Sequence, residues 1–186
     1  MKYKLLDKDG NEIIHHNLQD KKKWCEDGQY IENVFISIYG DLLKLIINPE
    51  KQKNKYAPDL LHVKCKRLGD LKFQGTPFFR SRELCGIDPT YAVVFNEKDR
   101  IRYSINYPNL LIYFWINWEV ISFISSNKNI SVTPLCGVWG TYFKDFNNYL
   151  QTCYKHEYIQ RYNDNNGNAK FSYICDIRNE IFKRLI

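Results

Sequence analysis

The stretch PDLLHVKCKRLGDLK, residues 58–72, holds three charged side chains whose types and spacing suit phosphate chemistry. Asp59 follows Pro58, and after ten intervening residues comes Asp70-Leu71-Lys72. Side chains alternate along a strand, so in GDLKFQ the residues Asp70, Lys72 and Gln74 share one face, while Leu71 and Phe73 anchor the other in a core. If the connection turns around Lys64 and Cys65, Asp59 stands directly opposite Asp70, and cross-strand partners point to the same face. That turn has neither glycine nor asparagine to enforce the register. Two facing carboxylates repel, and one keeps its proton unless a cation lies between them. Mg²⁺ answers that need, with Mn²⁺ as an alternative, because it takes oxygens from one or two carboxylates together with waters and a substrate phosphate. A lysine on the same face can orient or activate the attacking water and offset charge developing on the phosphate.

Such a centre needs a basic surround. Between residues 51 and 82 the bases are Lys51, Lys53, Lys55, Lys64, Lys66, Arg67, Lys72, Arg80 and Arg82, and the only acids are Asp59 and Asp70. A basic rim around an acidic, metal-binding centre is what a phosphodiester substrate requires. Lys64, Lys66, Arg67, Arg80 and Arg82 are therefore the expected contacts to a nucleic-acid backbone, giving affinity without sequence preference. The bland alternative is a solvated, lysine-rich surface. Phe78 and Phe79, beside Arg80, are read as core residues before they are read as base-stacking ones.

The elements that must position these residues follow from pattern. YKLL, the Asp9-Gly10 turn and EIIHH read as a hairpin. In WCEDGQYIENVFISIYG, residues Ile31, Val34, Phe35 and Ile38 recur at helical spacing, with Gly40 as the stop. LLKLIIN, PDLLHV and GDLKFQ read as three strands, separated by the charged loop PEKQKNK and by the turn near Lys64. TPFFRSRELCGIDPT is a loop with a short helix, and YAVVFN is a strand. EKDRIRYSINYPN is polar and reads as surface. LLIYFWINW is apolar on both faces and reads as a central strand. FKDFNNYLQTCYKHEYIQRY reads as a helix, NDNNGN as a turn, KFSYICDI as a strand and RNEIFKRLI as a short helix. The fold class is α/β (α+β): a central mixed sheet flanked by helices in one domain, residues 1–186.

Pro58-Asp59, the ten-residue spacer and Asp70-Leu71-Lys72 together resemble the signature of the PD-(D/E)XK nuclease superfamily, the restriction-endonuclease-like fold. The order is similar too: a helix, three strands with the motif on the second and third, then a helix and further strands. The resemblance spans about residues 24–118, with 119–186 as a C-terminal elaboration, and it rests on few residues. It implies a metal-dependent endonuclease acting on DNA, with Asp59 and Asp70 as metal ligands and Lys72 positioning or activating water. It adds Glu32, from the Gly28-x-x-x-Glu32 spacing, as a further ligand, with Glu26 a weaker candidate, and Gln74 as a contact near the scissile bond. Asp70 stands where glutamate is commoner. An RNA-cleaving toxin of the same fold, or an inactive nucleic-acid-binding module, is the alternative.

The whole chain bounds this reading. Its 186 residues suit one domain, and 44% hydrophobic and 16% aromatic content with a net charge of +6 argue for a globular, basic protein. No run reaches the roughly 20 apolar residues of a membrane helix, and the N-terminus does not read as a signal peptide, so a cytoplasmic protein is expected. Six cysteines without zinc-knuckle spacing read as reduced thiols. His15, His16, His62 and His156 have no metal spacing, and neither a Gly-rich phosphate loop nor a Gly-x-Ser-x-Gly elbow is present. Cutting both strands of a duplex takes two active centres, which leaves a homodimer open.

Overall fold

Apolar residues on both faces of one strand decide the architecture. In the segment 111–117, Ile112, Phe114 and Ile116 enter one buried cluster and Tyr113 and Trp115 enter another. A strand of that kind must be covered on both sides. The computed structural model describes residues 3–13, 21–158 and 170–186, the side chains of 21–27 excepted. Its elements are β1 (Tyr3–Leu6), α1 (Lys21–Leu43), β2 (Leu45–Ile47), β3 (Leu60–His62), β4 (Leu68–Gln74), α2 (Ser81–Cys85), β5 (Ala92–Asn96), α3 (Glu97–Asn106), β6 (Leu111–Asn117), β7 (Ser122–Ser125), β8 (Asn129–Ser131), β9 (Cys136–Tyr142), α4 (Phe143–Leu150), β10 (Tyr154–Glu157), β11 (Phe171–Asp176) and β12 (Lys183–Arg184). The main sheet has six strands in the order β12-β9-β6-β4-β3-β2. Only β4 and β6 run parallel; the other neighbours are antiparallel. Two three-stranded sheets, β1-β7-β8 and β10-β11-β5, complete the fold.

The mixed α/β class with a central mixed sheet is thus observed. Strands β9 and β11, C-terminal of residue 118, belong to its sheets, because β9 pairs with the central β6 and β11 pairs with β5. Under one face lie Phe35, Leu45, Leu60, Leu71, Tyr113 and Trp115, covered by α1. The other face holds Phe95, Tyr103, Phe114, Phe143 and Phe146, covered by α3 and α4. Leu71 is buried on the α1 side and Phe73 packs there too, as the alternation in GDLKFQ predicts.

Several expectations change. Helix α1 runs past Gly40 to Leu43 and stops where Lys44 takes the left-handed conformation, φ 57°. Gly40 serves close approach instead, since a Cβ there would lie 3.0 Å from the Leu45 carbonyl oxygen. On α1 the buried line is Phe35 with Ile31, Tyr39 and Leu43, while Ile38 turns outward. The polar segment after β5 lies at the surface apart from Tyr103, and it forms the helix α3. The helix expected from residue 143 onward ends at Leu150, and β10 follows after a short turn. The C-terminal RNEIFKRLI forms turns and the two-residue β12 rather than a helix. Among the described residues the N-terminal hairpin shows one bridge, Leu6 to Glu12, and β1 pairs along its length with β7. His15, His16 and the NDNNGN turn lie outside the described residues, as does the side chain of Cys25. The other five cysteines are free thiols. No helix among the described residues is long and apolar enough to cross a membrane.

The β3–β4 turn closes without glycine because Lys66 adopts φ 56°. The His62 ring supports it, with Nδ1 accepting from the Lys64 and Cys65 N–H groups at 3.3 Å. A side chain in this region costs roughly 1–2 kcal/mol, partly offset by the extra chain entropy that glycine loses on folding. Lys66→Gly is therefore expected to raise stability by up to about 1 kcal/mol in urea unfolding. A fall in stability would mean the turn is not held in this conformation.

Candidate active site

The register of β3 and β4 places the first pair. Leu60 faces Gly69 and Leu61 faces Leu68, so the next step outward sets Asp59 against Asp70. Gly69 permits close packing there: a Cβ would come 2.7 Å from the Tyr113 ring. Strand β3 begins only at Leu60, and the Asp59 side chain takes over the ladder, its Oδ2 accepting from the Leu71 N–H at 3.0 Å. Asn48 fixes the other side of this entry. Its backbone N–H donates to the Asp59 carbonyl (2.9 Å) and its buried side chain donates to the Pro58 carbonyl (2.8 Å).

Asn48 also caps a 3-10 turn over Pro49–Gln52, accepting from the Glu50 N–H. The turn aims Lys51 inward. Its Nζ lies 2.5 Å from both Glu32 oxygens and 2.6 Å from Asp59 Oδ1. Glu32 comes from α1, so one ammonium joins the helix to the entry of β3. Burial works against the Lys51 charge, but Asp59 and then Glu32 outweigh it and raise the pKa. Lys51, expected on the basic rim, is instead part of the centre.

Asp70 and Lys72 reach toward α3. Asp70 is 3% exposed. Its Oδ1 accepts from the Tyr103 hydroxyl at 2.5 Å. Its Oδ2 forms an ion pair with Lys72 Nζ at 2.8 Å and has no hydrogen-bond partner among the described residues. Lys72 Nζ also meets Asp99 Oδ2 at 2.7 Å, and Arg102 holds the other Asp99 oxygen at 3.0 Å. Burial pushes the Asp70 carboxyl up to about 6, with Lys72 opposing the rise and the nearby Asp59 charge adding to it. Burial disfavours the Lys72 ammonium, yet Asp70, Tyr103 and Asp99 hold its pKa well above the usual value. Lys72 therefore stays charged. It can donate hydrogen bonds to water or phosphate but cannot serve as a proton acceptor near neutrality.

Asp99, Arg102 and Tyr103 are site residues that sequence reasoning missed. Their i, i+3, i+4 spacing in EKDRIRY was the available signal, masked because α3 buries a single residue, Tyr103. Gln74 is spoken for: its amide donates to the Val94 carbonyl (2.9 Å) and accepts from the Val94 N–H (3.1 Å), tying β4 to β5. The expected phosphate contacts lie apart from the carboxylates. Lys64, Lys66 and Arg67 sit on the β3–β4 turn, at the far end of the hairpin from Asp59 and Asp70. Arg67 stacks on Tyr142 and accepts no role nearer the centre (guanidinium to ring 5.0 Å). Arg80 and Arg82 are exposed and pair with Glu83 and Asp88. Glu26 falls among the residues whose side chains are not described.

An open cleft of about 1000 Å³ reaches Lys72, walled by Tyr30, Ile31 and Val34 of α1 and by Phe78 across from them. Compared with protein-family models, curated proteins and solved structures, the chain matches none. The site must be judged on its own chemistry. Four carboxylates, Glu32, Asp59, Asp70 and Asp99, face three cations, Lys51, Lys72 and Arg102, leaving one negative charge in excess. All the candidate donors are oxygens, and Glu32 and Asp59 already converge on one cation. Among the described residues no three acidic, histidine or cysteine side chains form a ready-made metal group. Glu32 and Asp59 are the two carboxylates that could contribute oxygens to a hard divalent ion, whose remaining shell waters and substrate oxygens would supply.

Proposed function

We propose that this chain is a Mg²⁺-dependent nuclease of the PD-(D/E)XK type, hydrolysing phosphodiester bonds in DNA. The observation that carries the reading is the register that opposes Asp59 to Asp70, with Lys72 on the face of Asp70 and reaching the cleft. The element order supports it as well: α1, the antiparallel strands β2, β3 and β4 with Asp59 at the entry to the second and Asp70 on the third, then α2, β5, α3 and β6.

Asp59 and Glu32 would hold the metal, with Asp70, across the ladder from Asp59, as a further ligand. Bound there, Mg²⁺ supplies Lewis-acid polarisation of a phosphoryl oxygen and a more acidic water. Lys72 keeps its charge and offers its least committed donor, now 3.4 Å from the Tyr103 hydroxyl, to the phosphate or the attacking water. Asp99 and Tyr103 position Lys72 and Asp70. Gln74 braces β4 against β5. Tyr30 and Phe78 give the cleft apolar walls against which a base could stack.

Lys51 on the carboxylates favours one second reading, a nucleic-acid-binding module that does not cut. The test is incubation of purified protein with supercoiled plasmid, with and without Mg²⁺. Metal-dependent nicking or linearisation is expected. Intact plasmid and intact RNA in both Mg²⁺ and Mn²⁺, together with retained nucleic-acid binding, would leave only the second reading. Cleavage of RNA alone would keep the chemistry and change the substrate.

A further inference from the structure

We propose that Lys51 is a built-in counter-cation that occupies the Glu32–Asp59 clamp and is displaced when a divalent metal enters. The inference rests on the nuclease reading and adds a gate to that site.

Three carboxylate oxygens converge on the Lys51 nitrogen at 2.5, 2.5 and 2.6 Å. Without a cation at that point, Glu32 and Asp59 would repel each other, half-buried, across the gap between α1 and the β3 entry. Lys51 removes that repulsion and keeps both carboxylates aimed at one point. It does so incompletely, because one positive charge faces two negative ones. A divalent ion matches the pair in full, and so has an electrostatic advantage over the ammonium.

The way out is also built. Lys51 sits on a single 3-10 turn, and the residues that follow it, Gln52 to Tyr56, are exposed. Its long stem can swing to solvent without disturbing the core or the Asn48 cap, whose bonds run through the backbone of Glu50, Pro58 and Asp59. Once out, the ammonium is a free cation on the exposed segment that also carries Lys53 and Lys55. Metal entry thereby delivers a phosphate-binding charge to the rim, where the sequence alone placed it. Asp70 and Lys72 take no part in the exchange, since they pair with α3.

The test uses the full chain and the metal alone. Lys51→Met keeps the stem and removes the charge, and Lys51→Gln is the second variant should the first fail to fold. Mg²⁺ binding is measured by calorimetry, and thermal unfolding is followed with and without the ion. Asp59→Asn shows which heat belongs to this site. If the clamp is closed about nine-tenths of the time, the variants should bind Mg²⁺ about tenfold more tightly than the natural chain. They should also melt lower without metal and recover the difference when Mg²⁺ is added. Equal affinity in variant and natural chain would overturn the gate while leaving the metal site standing. Weaker binding by the variants would overturn it too, and make Lys51 a helper of the ion. No Mg²⁺ or Mn²⁺ binding by any form would overturn the nuclease reading itself, and the gate with it.

Discussion

Replacing Lys72 by methionine is expected to cost the fold about 3–5 kcal/mol, the range found when one partner of a buried ion pair is removed. The ammonium lies between Asp70 and Asp99, 2.8 and 2.7 Å from their oxygens. It also sits over the faces of Phe95 and Tyr103, at 5.6 and 5.5 Å from the ring centres. Methionine fills the stem's volume but leaves the Asp70 carboxylate desolvated, with the Asp59 charge nearby and only the Tyr103 hydroxyl to bond it. The cost is therefore that of an orphaned charge, and removing the charge should recover it. Asp70→Asn combined with Lys72→Met should unfold at clearly higher urea than Lys72→Met alone, although it carries one more substitution. Urea unfolding of the single and double variants measures the coupling. A Lys72→Met chain as stable as the natural one would show that the ammonium is not held as described. The consequence for function is direct: loss of cleavage in a Lys72 variant says little until its folded fraction is known.

The geometry around Asp59 and Asp70 could be read in advance because strand alternation and register are arithmetic. Residues 59 and 70 are equidistant from a turn centred between Lys64 and Cys65, and Leu71 and Phe73 had to take the other face. The central place of β6 was legible for the same reason, since apolar residues at successive positions from Leu111 to Ile116 leave no face for water. The second half of the site was not legible. EKDRIRYSIN carries no apolar stripe, and α3 is defined by Asp99 and Tyr103 reaching polar partners on β4, which have no signature in hydrophobic period. Lys51 looked like one more lysine in a lysine-rich loop, because nothing in PEKQKNK shows that an Asn48-capped turn aims it at carboxylates from two other elements. Strand β9 was hidden by Gly137 and Gly140, which weaken a strand pattern but here allow close approach. A Cβ on Gly137 would lie 2.7 Å from the Ile186 carbonyl oxygen, and one on Gly140 would lie 3.0 Å from Leu185. Register and period are local and readable; polar convergence from distant elements is not.

Asp59→Asn should separate chemistry from stability where Lys72→Met cannot. Cleavage is expected to fall by about 10²–10³-fold, the scale seen when one electrostatic contact to a transition state is lost. Stability should change by only about 0.5–1.5 kcal/mol. The asymmetry follows from what each Asp59 oxygen does. Oδ2 accepts from the Leu71 N–H, and the asparagine carbonyl can keep that bond. Oδ1 faces Lys51, which retains both Glu32 oxygens when Asp59 loses its charge. Asp59 is also not sealed away, with 17% of its side chain exposed, so an amide there is not stranded. Alanine would be a poorer choice, because it leaves the Leu71 N–H without an acceptor and adds about 1–3 kcal/mol. Single-turnover cleavage of supercoiled plasmid in saturating Mg²⁺, run beside urea unfolding of the same preparation, gives both numbers. Full activity in a stable Asp59→Asn chain would reduce the carboxylate to a cap for β4 and remove it from the metal. A stable chain with cleavage gone would assign the loss to the missing charge, because the Leu71 N–H bond that ties Asp59 into the ladder would still be in place.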